Sequence, residues 1–169
     1  MQKNKPKTSS GTDTANPPLD ELDRKILAAV QVDNQQPLRK IARSVNLSTP
    51  AVARRLQRLR ARKVIDSDVS ALNAAAVGRP LTVIVEVSVE SEILAQLDAV
   101  RRRFIACPAV QQCYYVTGDV DFVLILTLRD ISEYEELTRS LFFSGGNVRR
   151  FRTLVVMQRA KVGMAVPLS

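Results

Sequence analysis

Residues 47–63, LSTPAVARRLQRLRARK, decide the architecture. At about 100° per residue, a helix through them puts Val52, Leu56 and Leu59 on one arc and Arg54, Arg55, Arg58 and Arg62 on another. The first arc fits a small core and the second presents cations. Thr49 is placed to cap this helix. Pro50 suits the first turn, where its missing N–H has no partner to lose. Between residues 34 and 65 there are nine Lys or Arg and no Asp or Glu. An ordinary solvated helix mixes signs, so an unmixed run asks for a polyanion.

Two helices are expected upstream. The first spans 20–32, capped by Asp20, with Leu22, Ile26, Leu27 and Val30 as its apolar stripe. The second spans 38–45, with Leu38, Ile41, Ala42 and Val45 inward. Asn46 then supplies the left-handed backbone that a tight turn between helices needs. This is the layout of a helix-turn-helix. In such a unit Ser48 and Thr49, at the start of the third helix, meet base edges, while Arg54, Arg55, Arg58 and Arg62 hold phosphates. Residues 64–72 read as a short extended segment, a candidate wing, and 73–80 as a linker containing Gly78 and Pro80.

The charge supports this partition. The chain carries a net +8, of which residues 1–18 hold +2, 19–70 hold +5 and 71–169 hold only +1. Double-stranded DNA is the partner such a field suits. Residues 1–18, rich in Lys, Ser, Thr and Pro, are expected to be a disordered basic tail. No apolar run is long enough to span a membrane and no secretory pattern opens the chain, so a cytoplasmic protein is expected. Cys107 and Cys113 suit buried thiols in a reducing compartment. With no His anywhere, the commonest general base and metal ligand are missing, and neither a catalytic site nor a cofactor is expected.

From Leu81 the apolar period changes to two. Leu81, Val83, Val85, Val87 and Val89 alternate with Thr82, Ile84, Glu86, Ser88 and Glu90. A helix follows over 91–106, with Ile93, Leu94, Leu97, Val100 and Phe104 inward. Next come a strand over 110–116, a turn from Thr117 to Asp121, a strand over 122–128, a helix over 131–143 and a strand over 148–157. Arg101, Arg102 and Arg103 read as a solvated helix end. The order βαββαβ predicts a four-stranded antiparallel sheet with both helices on one face, over 81–162, and a tail over 163–169. The overall class is therefore α+β, a three-helix unit followed by a ferredoxin-like unit. Val123, Ile125, Leu154 and Val156 fall on the face the helices leave open. Monomers rarely expose such a patch, so a homodimer is expected to cover it.

The stretches LDELDRKIL (19–27), IARSVNLS (41–48), RRLQRL (54–59), VTGDVDFVL (116–124) and TLVVM (153–157), in this order and spacing, resemble the leucine-responsive regulatory protein/AsnC family of transcription regulators. The resemblance implies a DNA-binding domain followed by a ferredoxin-like domain. The latter dimerises, often joins dimers into rings, and binds amino acids or related small effectors between subunits. It places Gly118, Asp119 and Asp121 in the effector pocket, completed by Arg152 and Thr153 of a neighbouring subunit. Asn46 and Lys63 stand where the family usually has glycine, Arg60 replaces a usual acid, and Arg149, Arg150 and Phe151 replace smaller polar residues. The function implied is a sequence-specific regulator modulated by an effector. A low-specificity architectural DNA-binding protein is the alternative. A haem-precursor decarboxylase resembling the same family is a remote one, since that class relies on His.

Overall fold

The computed structural model describes residues 18–168, so the tail expected over 1–18 lies outside the described residues except for Pro18. The chain divides into two compact units. One runs to Ser70 and takes in the C-terminal segment from Gly163; the other is Ala71–Val162.

The first unit holds α1 (Glu21–Val32), α2 (Leu38–Ser44) and α3 (Thr49–Ala61). Ile26, Ile41, Ala42, Val45, Val52 and Leu56 close its core, and Leu59 is fully buried. Asp20 caps α1, accepting from the Asp23 N–H at 2.7 Å. At α3 the cap is Ser48, not Thr49: Ser48 has extended backbone and its hydroxyl accepts from the Ala51 N–H. The reason is that the Val52 N–H, which a Thr49 cap would need, already bonds the Ser48 carbonyl at 3.1 Å.

The ends of α2 and α3 are built alike. After α2 the N–H of Leu47 reaches the Ala42 carbonyl at 2.9 Å and that of Asn46 reaches Arg43. After α3 the N–H of Val64 reaches Leu59 at 2.9 Å and that of Lys63 reaches Arg60 at 3.0 Å. This paired 6→1 and 5→2 closure requires a left-handed residue between helix and exit. Asn46 (φ 54°) and Lys63 (φ 57°) supply it. Asparagine does so at little cost, lysine at a real one.

No strand forms over 64–72, so the expected extended segment is an irregular loop rather than a wing strand. A strand needs a neighbour to satisfy its backbone, and here the loop is fastened by a side chain instead, with Arg60 Nε donating to Asp68 at 2.8 Å. The C-terminal segment is no free tail either. Val166 offers both backbone groups to the Gln31 amide on α1, its N–H donating at 2.7 Å and its carbonyl accepting at 3.2 Å.

The second unit contains β1 (Leu81–Val89), α4 (Leu94–Ala106), β2 (Val110–Tyr115), β3 (Phe122–Leu128), α5 (Ile131–Thr138), which runs on into a π-helical turn (Arg139–Phe143), and β4 (Val148–Val155). The sheet order is β2-β3-β1-β4 and all pairs are antiparallel. Val83, Val85 and Val87 of β1 and the even-numbered residues of β3 from Phe122 to Leu128 are buried with Val100, Phe104, Tyr134, Leu141 and Phe142. Both helices therefore cover one face. Phe104 meets the Phe122 ring edge-on at 5.5 Å, a geometry aromatic rings favour.

The first expected helix of this unit, over 91–106, starts later than its apolar pattern suggests. Asn147 holds Ser91 from both sides, accepting its N–H at 2.7 Å and donating to its carbonyl at 3.0 Å. The chain stays non-helical through Ile93, and Ile93 and Leu94 are exposed rather than inward. Arg103 also departs from the solvated end expected of it. It folds over the Gly145–Gly146 turn, with Nη2 donating to the Gly146 carbonyl, and a Cβ at Gly145 would lie 1.2 Å from its Nη1.

Candidate nucleic-acid interface and effector cavity

The core arc of α3 is Val52, Leu56 and Leu59. The arc opposite holds Pro50, Arg54, Gln57 and Arg58, all exposed. Thr49 is exposed at the helix start with its hydroxyl not used as the cap. Arg54 has no ion-pair partner among the described residues. Gln57, one turn beyond Arg54, shares this outward arc, and its amide is the group that pairs with adenine in a major groove.

Arg55 and Arg58 sit differently. Asp23 is on the first turns of α1 and only 1% exposed. Arg58 Nη2 donates to both its oxygens at 2.7 Å, and Arg55 Nη1 donates to Asp23 at 2.7 Å and to Asp20 at 2.6 Å. A buried carboxylate must be paired, and these two guanidinium groups do the pairing. Arg55 is 23% exposed and Arg58 47%, so Arg58 keeps an open edge while Arg55 is largely enclosed. The Arg55 guanidinium holds the Asp20 carboxyl below the usual carboxylate range, helped by the Asp23 N–H. Arg62, half-buried, closes the helix.

In the second unit a cavity of about 210 Å³ opens beside the β3 turn, lined by Glu86, Ser88, Asp119, Val120, Arg150, Phe151 and Arg152. Asp119 and Arg152 thus meet in one place. Arg152 is closed on Glu86, its cross-strand neighbour, at 2.6 Å. Arg150 donates to the Ser88 hydroxyl at 3.4 Å. Neither Arg150 nor Asp119 has an ion-pair partner among the described residues. Gly118, at φ 128°, makes the bend that brings Asp119 up. Asp121 faces away: its carboxylate accepts the Val89 N–H at 2.8 Å, and its own N–H bonds Val87. Thr153 lies on the helix-covered side, hydrogen-bonded to the Tyr134 hydroxyl. Glu86, Ser88, Arg150, Phe151 and Arg152 are the lining residues that the turn itself does not supply. A second hollow, about 290 Å³, lies among α1, α2 and α3. Its lining is mainly aliphatic and its Arg60 is bound to Asp68, so it offers little to a charged small molecule.

Residues 19–60 match the AsnC-type helix-turn-helix domain and residues 82–166 the Lrp/AsnC ligand binding domain. The chain belongs to the Lrp/AsnC family of transcriptional regulators. It is 45% identical to the uncharacterized HTH-type transcriptional regulator y4tD of Sinorhizobium fredii, over 89% of each chain. Among solved structures it is similar to an AsnC family transcriptional regulator from Agrobacterium tumefaciens, with a TM-score of 0.84 and 29% identity over 89% of this chain and 97% of that one. It is also similar to a feast or famine regulatory protein from M. tuberculosis complexed with L-methionine, with a TM-score of 0.78 and 26% identity over 86% of this chain and 96% of that one.

Membership in the Lrp/AsnC family gives the two regions their sense. The basic helix belongs to the helix-turn-helix match, and the cavity to the ligand-binding match. Among the described residues no helix is long and apolar enough to cross a membrane, and no group of three or more acidic, Cys or His side chains is placed to hold a metal ion.

Proposed function

We propose that this transcriptional regulator acts in the cytoplasm as a sequence-specific binder of double-stranded DNA whose affinity is set by an amino acid or a related small zwitterion. Ser48, Thr49, Arg54 and Gln57 meet the major groove, and the open edge of Arg58 and Arg62 flank it. The observation that carries this reading is the outward arc of α3, where a cation, an amide and a hydroxyl stand together above a fully apolar inner arc. The effector lies in the Asp119 cavity. One anion and one cation without ion-pair partners among the described residues, Asp119 and Arg150, suit an ammonium and a carboxylate, and Phe151 offers a surface for an aliphatic side chain. A second copy of the chain covers the open sheet face and completes the site. Rings of dimers fit the same scheme.

L-methionine is the probe for the effector arm. It should change the affinity of the wild-type protein for its preferred duplex. Asp119→Ala should abolish that change while leaving ligand-free DNA affinity as it was. A response that survives the substitution places the effector elsewhere.

A further inference from the structure

Asp23 is the least expected group in the N-terminal unit. It is a carboxylate on the core-facing side of α1, 1% exposed, and it points at the helix that reads DNA. Four donor–acceptor contacts of 2.6–2.7 Å join Asp20 and Asp23 to Arg55 and Arg58. Two of the arginines of the basic helix are therefore engaged inside the protein. We propose that Asp23, assisted by Asp20, is a positioning residue for DNA selectivity: it fixes the rotation of α3 through Arg55 and Arg58, and it withholds their charge from non-specific phosphate binding.

This rests on the DNA-binding reading above. Non-specific affinity grows with each phosphate neutralised, by a salt slope of about 0.9 per contact. Sequence preference grows only with well-placed contacts to base edges. A helix with four unrestrained arginines gains the first at the expense of the second. The clamp takes Arg55 fully and Arg58 in part out of the phosphate count. Two guanidinium groups on one carboxylate, Arg55 through Nη1 and Arg58 through Nη2, also resist rotation of α3 in a way that apolar contacts alone do not. Thr49, Arg54 and Gln57 are then held toward the groove. The enclosure of Arg55, beside Arg54 with no partner among the described residues, is the asymmetry that points to this division of labour.

The test uses the full-length protein and two duplexes: one selected by the wild-type protein from a random pool, and a scrambled duplex of the same composition. Affinities are taken by fluorescence anisotropy across a salt series. Arg54→Gln should flatten the salt slope on both duplexes by about one unit. Arg55→Gln should leave the slope on the scrambled duplex unchanged yet lower the preference for the selected one about tenfold or more, the value of one lost base pairing. Asp23→Asn should steepen the slope by about one to two units and raise scrambled-duplex affinity. That gain should vanish when Arg55→Gln and Arg58→Gln are added, which simple removal of a negative charge would not do. Should Asp23→Asn not fold by circular dichroism, the half-exposed Asp20→Asn, with and without Arg55→Gln, carries the same comparison. A slope for Arg55→Gln that drops as it does for Arg54→Gln would overturn the proposal. So would a gain at Asp23 or Asp20 that persists without the arginines. Absence of wild-type binding to either duplex would overturn the DNA-binding reading itself, and the clamp's role with it.

Discussion

Lys63 shows how a single residue carries a helix end at a cost. It sits at φ 57°, where a side chain clashes with its own carbonyl and where glycine is at ease. The hydrogen bonds of Val64 and Lys63 to Leu59 and Arg60 need that conformation. Lys63→Gly should raise stability by about 0.5–1 kcal/mol, the left-handed penalty less the greater chain entropy of glycine when unfolded, read as a higher midpoint in urea. Gly145 needs no such backbone. A Cβ there would strike only the far end of the Arg103 side chain, so Gly145→Ala moves that flexible guanidinium off the turn and should leave the melting temperature nearly unchanged. At this scale the sequence was only partly legible. The left-handed turn at Asn46 follows from its residue type, and the cap at Asp20 from its position before an apolar stripe. The engagement of Arg55 and Arg58 does not, because their carboxylates lie 32 and 35 residues upstream, beyond any window that counts local charge. The outward placement of Gln57 is not legible from charge, because the residue is neutral.

At the scale of elements, the alternating strands were the most legible parts. β3 buries every second residue as its pattern requires, and β1 does so at Val83, Val85, Val87 and Val89, with Ser88 buried as the exception, since a period of two on a half-covered sheet admits one register. The N-terminus of α4 was not legible, because the apolar residues Ile93 and Leu94 continue the helical pattern while Asn147, 56 residues away, holds Ser91 out of it. The same holds for 64–72, where an ion pair from Arg60 replaces a strand partner. The junction of α1 and α3 has a pH signature. The carboxyl of Asp20 is lowered by Arg55 first and by the Asp23 N–H second. A lowered carboxyl contributes stability that is fully present above its unfolded value, about 3.9, and is lost as the pH falls through the folded value. Thermal melts of wild type and Asp20→Asn should therefore differ at neutral pH and converge as the pH drops below about 4. A constant gap down to strong acid would show that Arg55 does not depend on that charge.

At the scale of the whole molecule, the open sheet face is the unfinished part. Ile84 stands between Ile125 and Leu154 in the sheet register, beside the Glu86–Arg152 pair. Tyr114 and Leu154 are exposed. A second copy packed there would cover the aliphatic row and bring another chain to the Asp119 cavity. Ile125→Asp, a charge in the middle of that row, should turn the full-length protein into a monomer by light scattering; an unchanged assembly would mean that dimers form through another surface.

Whether the N-terminal helices read a DNA sequence or merely bind a polyanion is decided by fluorescence anisotropy of the wild-type protein on DNA from upstream of its own gene, beside a scrambled duplex, at two salt concentrations. A sequence reader prefers the native fragment about a thousandfold or more and keeps that preference at the higher salt, which is the expected result. Equal binding to both duplexes, falling steeply with salt, would instead describe an architectural protein and overturn the proposed function.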